Sequence, residues 1–171
     1  MATVRPNVLK ISENVELKNT EFIEVYPNLE NIQSRVKLLE FIKSNSDNSN
    51  DIEKADILVA GGKGVKDFSM LEELAKLLGA KVAATRGAVD LGLANFSIQV
   101  GQTGKTVSPK TYIAIGISGA IQHQVGMENS GKIIAINNDE NAPIFDIADV
   151  GIVGDLNKIV LELINELRKR G

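Results

Sequence analysis

Tyr112–Gly126, YIAIGISGAIQHQVG, is a short apolar run that breaks on Gly116-Ile117-Ser118-Gly119 and resumes as a short helix. The run does not alternate polar with apolar, as expected of a strand covered on both faces of a parallel sheet. Such sheets bind ligands beyond the carboxyl ends of their strands, in the loops that follow. Backbone N–H groups at a helix start, at the positive end of its dipole, suit a phosphate or pyrophosphate. Glycine lets backbone approach closely there, and the Ser118 hydroxyl adds a donor. The same glycines could equally serve to pack helix on strand. The spacing is not GxGxxG, so the dinucleotide fingerprint is missing.

Similar short runs occur at Ile57–Ala60, Lys81–Ala84, Lys132–Ile136 and Val150–Val153. Helical patterns separate them. Asp67–Leu78 places Phe68, Leu71, Leu74 and Leu78 on one face and closes on Gly79 as a C-cap. Asp155 is a good N-cap for a last helix striped by Leu156, Ile159, Val160, Leu163, Ile164 and Leu167, with Arg168-Lys169-Arg170 at its negative end. This alternation predicts an α/β fold, an open and mostly parallel β-sheet flanked by helices. Glycines gather after the strands: Gly61-Gly62-Lys63-Gly64, Arg86-Gly87, Gly101-Gln102-Thr103-Gly104 and Gly116-Ile117-Ser118-Gly119.

Residues 1–50 have a different character. Strands are expected around Asn7–Leu17 and Glu21–Val25, and a helix from Pro27 carrying Ile32, Val36, Leu38, Leu39 and Ile42. The polar run Ser44–Asp51, SNSDNSND, marks a boundary, giving an N-terminal segment 1–50 and a domain 51–171.

Composition excludes several chemistries. The 171 residues contain no cysteine and one histidine, so disulfides, thiolate metal sites and multi-histidine sites within one chain are out. A net charge of −3 leaves no footprint for nucleic acid. No apolar run reaches the roughly 18 residues of a membrane span, and Met1–Lys10 lacks the apolar core of a secretory signal. A cytoplasmic protein that binds a small molecule is the expectation.

Gly101–Thr106, GQTGKT, ends like a phosphate-binding P-loop, but the required first glycine position is Gln99. Pro109 also follows within five residues of Gly104, where such a loop would need a helix. A glycine turn before a strand is the better reading. His123 reads either as a satisfied core residue or as a donor to a ligand oxygen. Arg86 reads either as a solvated loop residue or as a guanidinium in the ligand crevice, pairing with phosphate or stacking on a ring. Asn137 and Asp155 also follow strands.

Residues 98–127, IQVGQTGKTVSPKTYIAIGISGAIQHQVGM, resemble the FAD-binding domain of the electron transfer flavoprotein alpha subunit. Flanking pieces agree in order: VAGGKG at 59–64, ATRGAVD at 84–90, INND at 136–139, APIF at 142–145 and DVGIVGDL at 149–156. The resemblance implies a Rossmann-like domain holding extended FAD. It would place Arg86 over or beside the isoalloxazine, Thr103 as donor at N5 with Gln102, Val100 and Gly101 close by, and His123 on the O2 side. Ser118, Gly119, Ala120, Ile121 and Gln122 would surround the pyrophosphate and ribityl chain. Asn137, Asp155 and Leu156 would hold the adenosine end, with Thr85 and Lys63 completing the shell. Lys63 stands where the family usually has arginine, and Thr85 where it usually has serine. The resemblance implies a further N-terminal domain that packs on the beta subunit and of which this sequence would hold little, as in an excised FAD domain or a chain encoded in truncated form. Met1-Ala2 before Thr3-Val4-Arg5-Pro6 reads as a cut near a domain junction.

The implied function is an electron carrier that takes electrons from a dehydrogenase and passes them to a second redox partner through FAD, in a heterodimer with the beta subunit. The alternative is a nucleotide-binding module of the same fold without redox work. Thr103 and His123 separate the two, having jobs beside an isoalloxazine and none beside adenine alone.

Overall fold

The computed structural model describes residue 21, residues 23–26, residues 36–40 and residues 51–170. Six strands form one sheet: β1 (Ile57–Gly61), β2 (Lys81–Thr85), β3 (Gln99–Val100), β4 (Thr111–Ile115), β5 (Lys132–Asn137) and β6 (Val150–Val153). Four α-helices accompany them: α1 (Ser69–Leu78), α2 (Arg86–Asp90), α3 (Ile121–Gln124) and α4 (Leu156–Arg170). The strand order is β3-β2-β1-β4-β5-β6, and every neighbouring pair is parallel. The order reverses direction between β1 and β4, which opens a crevice beyond their carboxyl ends.

Successive residues of the central strands feed two cores. Leu58, Ala60, Tyr112 and Ala114 point into one layer with Val100, Met127 and Ile144. Val59, Ile113, Ile115 and Ile136 point into the other, under Leu71, Leu74 and Ala75 of α1 and Val160 and Ile164 of α4. Apolar side chains on both faces explain why the runs do not alternate in sequence.

The edge differs from expectation. β6 pairs only with β5, and its Val150 and Val153 are 43% and 56% exposed, so it is not a buried strand. Its apolar residues simply extend the sheet by one strand. The buried stripe of α4 is also narrower than its sequence suggests. Leu163 is exposed, while Val160 and Ile164 carry the packing. Two elements were not expected from sequence, the five-residue α2 and the two-residue β3, neither of which has an apolar run.

Among residues 1–50, the strand expected at Asn7–Leu17 lies outside the described residues. Residue 21 and residues 23–26 are exposed and form no strand, so the expectation at Glu21–Val25 fails. Residues 36–40, the described part of the expected helix, are exposed and non-helical. A strand at Glu21–Val25 would exist only through a neighbour's backbone.

Helix caps follow the sequence closely. Gly79 ends α1 with φ +62°, and its N–H reaches the Ala75 and Lys76 carbonyls. A Cβ at Gly79 would meet nothing within 4 Å. Gly79→Ala is therefore expected to cost only the left-handed backbone strain, about 1 kcal/mol. A melt lowered by a few degrees, with unchanged circular dichroism at room temperature, is the expected result.

Candidate functional site

The crevice at the switch point holds a cavity of about 710 Å³. Five loops wall it, those following β1, β2, β3, β4 and β5. The loops after β1 and β4 touch directly. The Gly62 N–H donates to the Ile115 carbonyl at 2.9 Å, and the Gly64 N–H reaches the Gly116 carbonyl at 3.4 Å. A Cβ on Gly62 would stand 2.0 Å from the Gly116 carbonyl oxygen. Gly119 presses likewise on the backbone at Ile144, so these glycines let loop pack on loop. What they leave facing the cavity is the Ile117, Ser118 and Ala120 surface.

Two cationic side chains stand on the β1–β2 side. Lys63 runs its aliphatic stem across Gly87, where a Cβ would come within 2.8 Å of Lys63 Cγ. Arg86 opens α2 and does not end the strand before it, because Thr85 caps this helix by accepting the Ala88 N–H at 3.3 Å. Arg86 Nε lies 3.5 Å from Asp90 Oδ2, with both side chains more than 60% exposed. Such a pair contributes about 0–1 kcal/mol and holds the guanidinium only loosely.

The loop after β3 supplies Gln102 and Thr103. The turn is closed by Gly104 N–H to Gly101 carbonyl at 3.0 Å and by Lys105 N–H to Gln99 carbonyl at 2.8 Å. No helix follows, in keeping with a glycine turn and against a P-loop. The buried Gln99 amide donates to Thr103 Oγ1 at 3.1 Å, leaving the threonine hydrogen for another acceptor. Gln102 N–H donates to the Gln122 carbonyl at 2.7 Å, tying this loop to α3.

His123 is 7% exposed, on α3, and both its ring nitrogens are engaged by the protein. Nδ1 lies 3.1 Å from the Val100 carbonyl, and Nε2 lies 3.0 Å from the Tyr112 hydroxyl. Burial holds its pKa below the ordinary histidine value, partly offset by the bond to Val100. Burial likewise drives the Tyr112 hydroxyl well above the ordinary tyrosine value. Asn137 is buried too, its amide donating to the Ile117 carbonyl at 2.8 Å and its oxygen accepting from Asp139 N–H at 3.1 Å. That side chain ties the β4 loop to the β5 loop.

Of the residues expected at the site, Lys63, Thr85, Arg86, Val100, Gly101, Gln102, Thr103, Ser118, Ala120, Gln122, His123 and Asn137 line the cavity. Gly119, Ile121, Asp155 and Leu156 do not. Ile121 is 73% exposed. Asp155 caps α4, its carboxylate accepting Lys158 N–H at 3.0 Å. Leu156 packs behind the switch-point glycines, its Cδ1 being 2.9 Å from where a Gly116 Cβ would lie. Sequence reasoning did not include Asp90, Asn138, Asp139, Ala142 or Pro143, which also form the wall. The signal for them was positional: each follows closely on Arg86 or Asn137, on the same loop or first helical turn.

The wall thus combines two cations, three hydroxyls and several amides with the carboxylates Asp90 and Asp139. That donor set and volume suit a ligand of nucleotide size with anionic and hydrogen-bonding groups. Among the described residues, no group of three or more His, Asp or Glu could hold a metal ion. No described helix is long and apolar enough to cross a membrane.

Residues 51–128 match the model of the electron transfer flavoprotein FAD-binding domain. Over 172 aligned residues the chain is 51% identical to Protein FixB of Clostridium saccharobutylicum, covering 99% of this chain and 51% of that protein. It is 46% identical to the electron transfer flavoprotein subunit alpha of Bacillus subtilis, covering 98% of this chain and 52% of that protein. The corresponding Mycobacterium tuberculosis subunit is 57% identical over 67% of this chain and 37% of its own length. The chain spans about half the length of the curated relatives that it matches almost end to end. The chain belongs to the electron transfer flavoprotein alpha family, with the FAD-binding domain at residues 51–128.

Proposed function

We propose that this chain holds FAD in the switch-point cavity and forms the flavin-bearing part of an electron carrier. In this reading it pairs with a beta subunit, takes electrons from a dehydrogenase and hands them to a second redox partner. The observation that carries it is the single wall of cationic and neutral donors at the strand ends, in a chain matching an FAD-binding domain. A chain without cysteine also suits a cytoplasmic setting, where disulfides are rare.

Bound FAD would supply the reversible uptake and release of electrons. The residues of this chain bind it and set its electrostatics. Lys63 and Arg86 offset the charge of a pyrophosphate or of a ring that has gained electrons. Thr103, whose oxygen accepts the Gln99 amide, keeps its hydroxyl hydrogen for an acceptor in the cavity. Gln102, Ser118 and Gln122 add neutral donors along the wall. Asn137 holds the two loops of the far side together. Gly119 presses on the backbone at Ile144, Asp155 caps α4 and Leu156 packs on Gly116, so these three also shape the loops around the site.

The test is the visible spectrum of the purified chain after addition of FAD and gel filtration, alone and with the beta subunit. Flavin absorbance that travels with the chain in either case, and that an excess of ADP does not displace stoichiometrically, is the expected result. No flavin uptake in either case would overturn the proposal. Equal competition by ADP would favour the plain nucleotide-binding module.

A further inference from the structure

Gly87 is the second residue of α2, although glycine is the poorest helix former after proline. The usual reasons for a glycine are missing here. Its φ lies outside the left-handed region, so the backbone conformation does not require one. At Gly62 and Gly119 the three atoms nearest to the place of a Cβ are backbone. At Gly87 all three belong to the Lys63 side chain: Cγ at 2.8 Å, Cδ at 2.9 Å and Cε at 3.2 Å. Three successive methylenes therefore lie along the bare backbone of residue 87, and the ammonium follows one bond beyond the last of them.

We propose that Gly87 is a positioning residue of the cavity: its missing side chain leaves a bed for the Lys63 stem, and that bed sets the Lys63 ammonium beside Arg86 at the wall. Lys63, Arg86 and Gly87 all line the cavity. Among the described residues Lys63 makes no ion pair, so no carboxylate holds it there. The like charge of Arg86 repels it, and its flexible four-carbon stem offers many ways out to water. Packing of the methylenes on the residue 87 backbone opposes both, because a lysine stem can lie on a surface while its head stays polar. An alanine at 87 would meet all three methylenes at once, so a small adjustment at the tip does not clear it. The stem would swing off the helix and carry its charge away from the wall. The helix itself would gain, since alanine is the best helix former. Fold stability and ligand affinity should therefore move in opposite directions.

The inference rests on the assignment of FAD to this cavity, and two measurements keep the two apart. In the full chain without added FAD, NMR should show proton–proton contacts between the Lys63 methylenes and Gly87 Hα. Their absence would overturn the inference whatever the chain binds. FAD affinity is then compared by flavin fluorescence in the parent, Gly87→Ala, Lys63→Ala and the double variant, each with and without the beta subunit. Gly87→Ala should melt no lower than the parent, yet bind FAD about three- to tenfold more weakly. Its affinity should also fall less steeply with salt, as that of Lys63→Ala does. The double variant should bind like Lys63→Ala alone, because a bed without a stem on it does nothing. A Gly87→Ala that binds like the parent, or that costs the same factor with and without the lysine, would overturn the inference. A melt lowered by several degrees would do so too, since the lysine would not then be what yields. A parent that takes up no FAD in either setting would instead sink the flavin assignment, leaving the NMR contacts to judge the packing of Lys63 on Gly87.

Discussion

Gly62→Ala is expected to destabilise the domain by about 3 kcal/mol, lowering its melting temperature by roughly 10 °C. The cause is space. The added Cβ would lie 2.0 Å from the Gly116 oxygen, 2.6 Å from its carbonyl carbon and 2.9 Å from Ile117 Cα, all of them backbone atoms. A side chain in the way could rotate, but these atoms are fixed by the sheet. Gly116 N–H donates to the Ile136 carbonyl at 2.9 Å, and Gly62 N–H to Ile115 at 2.9 Å. Moving either loop strains the β1–β4–β5 register at the centre of the sheet. Gly79→Ala is the natural control, since there the backbone angle is unusual and the space is open. Thermal melts of the two variants beside the parent check the argument. A Gly62→Ala melt within about 3 °C of the parent, or a larger loss in Gly79→Ala, would show that the loops yield more easily than their hydrogen bonds imply.

That contrast also shows what a sequence can and cannot disclose. The glycines after β1 and β4 were visible as a cluster, and their position beyond strand ends pointed to a ligand crevice. Their reason for being glycine was not visible, because it lies in a contact between segments far apart in the chain. β1, β2, β4 and β5 were legible from apolar runs that feed two cores, and β6 from an apolar run that stays largely exposed. β3 was not, since Gln99-Val100 enters the sheet through pairing with β2 and carries no run of its own. The exposure of β6 depends on its being last in the strand order, a global fact that Val150–Val153 cannot encode locally. At the site, most of the expected residues share one wall because the loops that carry them leave the same end of the sheet. Asp155 also follows a strand, and one oxygen of its carboxylate accepts at the α4 cap while the other keeps its acceptor capacity. The partners of His123 were beyond reach altogether, because Tyr112 and Val100 come within reach of its ring only when the sheet has formed.

Arg86→Glu is expected to weaken FAD binding about a hundredfold or more while leaving the fold in place. The cavity wall of the parent carries two cations, Lys63 and Arg86, against two carboxylates, Asp90 and Asp139. After the substitution Lys63 alone would face three carboxylates, on a wall asked to hold a pyrophosphate. A charge-assisted hydrogen bond contributes about 1.5–3 kcal/mol, and each 1.4 kcal/mol is about tenfold in affinity, so losing the bond and adding repulsion reaches about a hundredfold. The side chain at position 86 is 68% exposed and its pairing with Asp90 is loose, so folding loses little. The new carboxylate would stand one helical turn from Asp90, adding a few tenths of a kcal/mol of repulsion in a five-residue helix. Salt gives the argument its sign. Raising ionic strength screens the attraction in the parent and weakens its FAD binding, but it screens repulsion in the variant and should narrow the gap between them. Flavin fluorescence titrations at low and high salt, with circular dichroism to confirm folding, make the measurement. Arg86→Gln should fall between the parent and the reversal. Affinities within about threefold of the parent for both variants would mean that Arg86 does not face the cofactor and that Lys63 and the neutral donors hold the phosphates without it.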